Sequence, residues 1–201
     1  MKNLFIRSKQ KGFTTVELMI AISVFSVIIL MTTVVITGIG NTFNRGINQA
    51  RTQNSVRMVA DSVAQQIKNN SQVLQQSSGS VGAYCIGNVK YSYVTGHLIG
   101  DTVDRSTVKN ILWRTNNASA DCTPEGILAS DGASTGEELV PRNTRLNEFS
   151  VTTPCDSGCI IKVNETFGTD DYVDTENGNC LQDAGPYCTK ASIETFVTKR
   201  L

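Results

Sequence analysis

Six cysteines, one histidine and a single acid inside an apolar run are the residues of this 201-residue chain best suited to chemistry. Cys85, Cys122, Cys155, Cys159, Cys180 and Cys188 all follow the apolar segment. An even number of cysteines confined to one side of such a segment suits disulfides formed in an oxidising compartment. Zinc is the alternative chemistry, but the chain has no CxxC pair and only one histidine. Three residues separate Cys155 from Cys159, a wider gap than a tight zinc knuckle uses. Six cysteines allow 15 connectivities. Pairing neighbours along the chain gives the expectation Cys85–Cys122, Cys155–Cys159 and Cys180–Cys188.

No nucleophile–base arrangement emerges from the remaining residues. A Ser–His–Asp or Cys–His site would have to use His97, which sits in YVTGHLIG and reads as part of a turn between strands. It is therefore expected to be a surface or packing histidine. The sequence contains no phosphate-cradling loop or dinucleotide fingerprint. Asp170, Asp171, Asp174, Glu176 and Asn177 form an acidic loop with the oxygen ligands calcium takes, but not with EF-hand spacing. A solvated loop is the expectation, and no cofactor is implied. Asn69, Asn117 and Asn164 begin N-x-S/T triplets, which arise by chance in a chain so rich in Asn, Ser and Thr. Trp113, Tyr91 and Tyr93 read as sheet packing.

Charge is distributed unevenly. The formal net charge is zero, yet Lys2, Arg7, Lys9 and Lys11 fall within the first twelve residues, where there is no acid. The rest of the chain is thus mildly acidic, a poor electrostatic match for nucleic acid. From Phe13 to Ile36 the sequence is apolar apart from Glu17 and a few hydroxyl side chains. As a helix this run would be about 36 Å long, enough to cross a hydrocarbon core of about 30 Å. Basic residues precede it and none follows until Arg45, which places the N-terminus in the cytoplasm and the body outside.

A cleaved secretory signal would have a shorter apolar stretch followed by a small-residue cleavage site. An uncleaved signal anchor fits the length but leaves Glu17 unexplained, since a carboxylate at membrane depth costs a few kcal/mol. Such a group needs a partner, and none is expected within its own helix.

The stretch KGFTTVEL resembles the class III signal of type IV prepilins, through Lys11, Gly12, Phe13 and Glu17 followed by the apolar run. The resemblance implies cutting between Gly12 and Phe13 by a membrane-embedded prepilin peptidase, and methylation of Phe13. Glu17 then becomes the fifth mature residue. In a staggered bundle it can meet the new terminal amine of a neighbouring subunit, so that each charge compensates the other. Further implied partners are other pilin subunits, the assembly platform and its motor ATPase. Family members often carry a proline in the second half of this helix; here Gly38 and Gly40 are the expected weak points.

The elements that must position these residues follow from periodicity. Val56, Val59, Val63 and Ile67 recur at three- and four-residue steps and mark one face of a second helical stretch. After Ser77-Ser78-Gly79-Ser80 the pattern turns to short β-like runs over 84–94, 108–114, 145–152, 159–164 and 192–198. The expectation is an α+β fold of pilin-like kind, a long N-terminal helix on an antiparallel sheet of four or five strands with disulfide-closed loops. Its parts are a basic leader over 1–12, a membrane and filament-core helix over 13–40, an amphipathic helix over 41–76 and a β-rich domain over 77–201. A disulfide-closed loop near the C-terminus, here Cys180–Cys188, resembles that of many pilins.

The functional expectation is a type IV pilus subunit, with a minor pilin favoured by the large polar-looped body. It would reside in the cytoplasmic membrane before assembly and in an extracellular filament afterwards. A pseudopilin of a type II secretion or DNA-uptake system is the alternative within the same superfamily. A single-pass anchored binding protein that never polymerises is the alternative from another class. Nothing in the sequence supports an enzyme.

Overall fold

The computed structural model describes residues 12–70, 72–116, 121–132, 135–153, 155, 158–175 and 177–198. Lys2, Arg7, Lys9, Lys11, Asn117 and Glu176 lie outside the described residues. The chain divides into two compact units, residues 1–41 and residues 42–201.

One helix, α1 (Thr15–Asn69), contributes to both. Thr14 and Glu17 start it. The Glu17 carboxylate accepts hydrogen bonds from the Thr14 backbone N–H and hydroxyl, both at 2.9 Å, and the Glu17 N–H donates back to the Thr14 hydroxyl at 3.2 Å. This Thr-x-x-Glu capping box satisfies donors that a helix N-terminus otherwise leaves open. The helix continues through Gly38 and Gly40, each of which costs it roughly 1 kcal/mol relative to alanine. It stops at Asn69, earlier than expected, where Asn70 donates its side-chain amide to the Gln66 carbonyl at 2.8 Å. That bond occupies a terminal carbonyl and ends the helix.

The last part of the stretch expected to be helical is instead strand β1 (Val73–Ser78). It is followed by β2 (Val81–Ile86), β3 (Val89–Val94), β4 (Thr102–Val103), β5 (Ser106–Thr107), β6 (Leu112–Asn116), β7 (Glu137–Glu138), β8 (Thr144–Val151), β9 (Cys159–Phe167) and β10 (Thr189–Val197). The run expected over 84–94 is two strands, because Gly87 takes φ 61° at the first position of a two-residue turn between Ile86 and Val89.

The strands are divided rather than gathered into one sheet. A five-stranded antiparallel sheet has the order β1-β2-β3-β6-β7, a separate three-stranded one has the order β10-β9-β8, and β4 pairs with β5. The α1 face formed by Val56, Val59, Val63 and Ile67 is buried in a core shared with Ile86, Tyr91, Leu112, Leu146, Ile161 and Val163. Phe149 of β8 meets Tyr84 and Tyr93 of the larger sheet edge-on, with ring centroids 5.4 and 5.3 Å apart. This aromatic cluster locks one sheet to the other.

Disulfides join Cys85 to Cys122, Cys155 to Cys159 and Cys180 to Cys188, with Cα separations of 5.8, 5.1 and 5.6 Å. The first closes the longest segment, with a sequence separation of 37. In the chain-entropy description such a loop contributes about 4 kcal/mol by restricting the unfolded chain. The double substitution Cys85→Ser with Cys122→Ser is therefore expected to lower unfolding free energy by about that amount in denaturant titrations. Opening the short Cys155–Cys159 loop should cost less.

Candidate functional site: the N-terminal segment

The first unit carries the candidate site. Phe13 is 85 % exposed, and every other described side chain up to Asn41 is exposed too. An 18-residue window of α1 reaches a mean hydropathy of 2.7, and none of it is buried within the chain. So large an apolar surface is not stable in water and requires lipid or other helices around it. By length and composition α1 is long and apolar enough to cross a membrane.

The polar groups within this segment are arranged to suit that environment. Ser23, Ser26, Thr32, Thr33 and Thr37 each donate a hydroxyl hydrogen bond to a carbonyl three or four residues earlier, at 2.8 to 3.1 Å. Their hydrogen-bonding needs are met inside the helix, as a low-dielectric surround demands.

Glu17 departs from expectation in one respect. It has a partner within its own helix end, Thr14, through the capping box. The carboxylate is therefore not bare. It is nevertheless exposed at the head of the apolar run. Gly12 is informative in a different way. A Cβ built there would meet nothing within 4 Å, so the chain's own packing does not require glycine at this position.

The other residues considered for chemistry are placed in ordinary surroundings. The His97 Nδ1 lies 3.6 Å from Asp101 Oδ2, which also accepts from the Leu98 N–H at 2.7 Å. Arg145, buried, bridges Asp101, Asp170 and the Gly96 carbonyl, so the acidic loop is tied down by an internal cation. Among the described residues, no group of three or more His, Cys, Asp or Glu is placed to hold a metal ion.

Two carboxylates outside the residues considered so far are drawn in from solvent in the second unit, Glu138 partly and Glu165 fully. Glu138 accepts backbone hydrogen bonds from Ile111, Leu112 and Val140 at 2.7 to 3.0 Å, while burial pushes its carboxyl above the usual range. Glu165 is fully buried on β9. Strand alternation could have revealed it, since it continues the inward row Cys159, Ile161, Val163.

A family model, the prokaryotic N-terminal methylation motif, matches residues 7–33. The match covers Gly12, Phe13, the capping box and much of the apolar run, and it supports a type IV pilin-like prepilin. The architecture behind it is α+β, one long helix packed on antiparallel sheet with disulfides, consistent with a pilin-like fold. No curated protein and no solved structure matches the chain. A signal of this type implies processing by prepilin peptidase and assembly with other pilins, a structural role, and it fits membrane anchoring before assembly.

Proposed function

We propose that this chain is a minor pilin of a type IV filament. The basic leader stays in the cytoplasm, the apolar half of α1 enters the membrane, and the disulfide-bonded body folds outside. The peptidase cuts between Gly12 and Phe13, and Phe13 is methylated. Glu17 docks against the terminal amine of a neighbouring subunit, and the platform and motor ATPase drive polymerisation through residues 13–40. The observation that carries this reading is the motif match over residues 7–33, on a helix whose apolar side chains are exposed over that stretch. The minor role is favoured by a body with two main sheets and long polar loops, more than a bare shaft requires.

Mass analysis of the mature chain tests it. The expected N-terminus is Phe13 carrying one methyl group. Replacing Gly12 with a bulky residue such as Leu is expected to leave the precursor uncut and heavier by the whole leader. A wild-type chain that still begins at Met1 overturns the proposal.

A further inference from the structure

We propose that Glu165 is a proton-controlled latch in the seam between α1 and the three-stranded sheet: protonated, it completes the inward row of β9 against the helix, and ionised, it loosens that seam. The placement is unusual. Cys159, Ile161 and Val163 precede Glu165 on the inward face of β9, and all belong to the apolar core. Its cross-strand neighbours are Leu146 on β8 and Ala191 on β10, both buried. Among the described residues neither carboxyl oxygen makes a well-formed hydrogen bond, and the one polar group that acts on it from α1 is the buried Ser55 hydroxyl, itself without another partner. A core carboxyl of this kind is tolerable only while neutral, because an unpaired buried charge is far more costly than an unpaired buried dipole.

No cation faces it. On α1 the buried positions are Thr52, Ser55, Val56, Val59, Ala60, Val63, Ala64 and Ile67, whereas Arg51, Arg57 and Asp61 are exposed. On β8, Arg145 sits one position from Leu146 and is committed to Asp101, Asp170 and Gly96, while Glu148 is exposed. On β10, Lys190 is exposed and bonds Asn179, and Glu194 pairs with Lys162 of β9. The charged group that does act on Glu165 is Glu138 of β7, which is like-charged when ionised. Burial raises the Glu165 carboxyl to about 7; the Ser55 hydroxyl pulls the other way, and Glu138 adds a smaller upward push.

The sign follows from linkage. Between the unfolded value of about 4.3 and the folded value of about 7, the folded chain holds a proton that the unfolded chain has lost. Stability from this group is complete below that window and falls as pH rises, by up to about tenfold in the folding equilibrium per pH unit. Above it no further change is expected. The body is thus firmest in acidic surroundings and loosens at neutral pH, at the seam where α1 meets the sheet.

The experiment is denaturant unfolding of the full, disulfide-bonded chain in detergent micelles from pH 5 to 8, comparing wild type with Glu165→Gln. The unfolding constant of wild type relative to E165Q is expected to rise by roughly a hundredfold across that range. A ratio that stays constant overturns the latch. Should E165Q fail to fold, the wild-type chain labelled with carbon-13 at glutamate carboxyls decides by NMR titration. A buried carboxyl titrating near neutrality supports the latch, and titration of every glutamate near its ordinary value overturns it.

Discussion

Glu17→Gln should lower incorporation of the chain into filaments by at least about tenfold while leaving cleavage after Gly12 and folding of the body intact. The capping box makes glutamine the informative replacement. Gln at the third helical position can still bond back to the Thr14 N–H, so the start of α1 is preserved. What is lost is the charge. In the proposed docking, a neighbouring Phe13 amine then enters a dry site unpaired, and stranding one member of a buried ion pair costs about 3–5 kcal/mol. Glu17→Ala removes cap and charge together. The cap adds about 1 kcal/mol at the helix end, too little to unfold a helix anchored elsewhere by tertiary packing. Quantifying each variant in sheared filaments against total mature subunit distinguishes the two roles. If Gln assembles normally and Ala does not, the cap rather than the charge is what assembly needs, and docking on Glu17 is wrong.

The two roles of Glu17 are separable because its carboxylate caps the helix as well as carrying charge, and the ingredients of both are plain in the sequence. Thr14-x-x-Glu17 ahead of an apolar run is a capping-box pattern, yet the polarity of Glu17 within a membrane-length segment drew attention to external partners instead. The helix itself was legible because its two halves have strong and different patterns. One is uniformly apolar; the other carries the Val56, Val59, Val63 and Ile67 stripe, and all four are buried. Its end was not legible, because Val73 and Leu74 continue an apolar periodicity that β pairing with Ile86 and Cys85 claims instead. Strands β8, β9 and β10 lie close to the runs over 145–152, 159–164 and 192–198, since alternation holds through most of β9 and β10 and through the second half of β8. Their separation into a second sheet was hidden, because pairing partners and sheet order are long-range properties that local pattern does not encode. Glu165 was missed for the opposite reason. Its register is clear, but a charged residue at an inward position reads as an interruption of the pattern until burial is known.

The second large effect concerns the helix face that the body depends on. Val63→Asp is expected to destabilise the body by about 5 kcal/mol, enough to unfold a domain at the lower end of the usual 5–15 kcal/mol range. Val63 is completely buried, flanked along α1 by Val59, Ala60 and Ile67 in the core shared by helix and sheets. A carboxylate there is unpaired, and the hydrophobic contribution of the valine is lost as well. Ile67→Ala provides a graded comparison at about 2–5 kcal/mol, the range for deleting buried aliphatic volume. Met58, 61 % exposed on the same helix, supplies the control: Met58→Asp should stay within about 0.5 kcal/mol of wild type. Denaturant titration reads all three, and thiol alkylation reports whether the three disulfides still form. Because the cleavage segment is separate from this face, unfolding of the body should not prevent cutting after Gly12. A cut chain with reactive thiols and no cooperative unfolding transition is therefore the expected outcome for Val63→Asp. Wild-type-like unfolding of that variant would mean that α1 does not depend on this face to hold the body together.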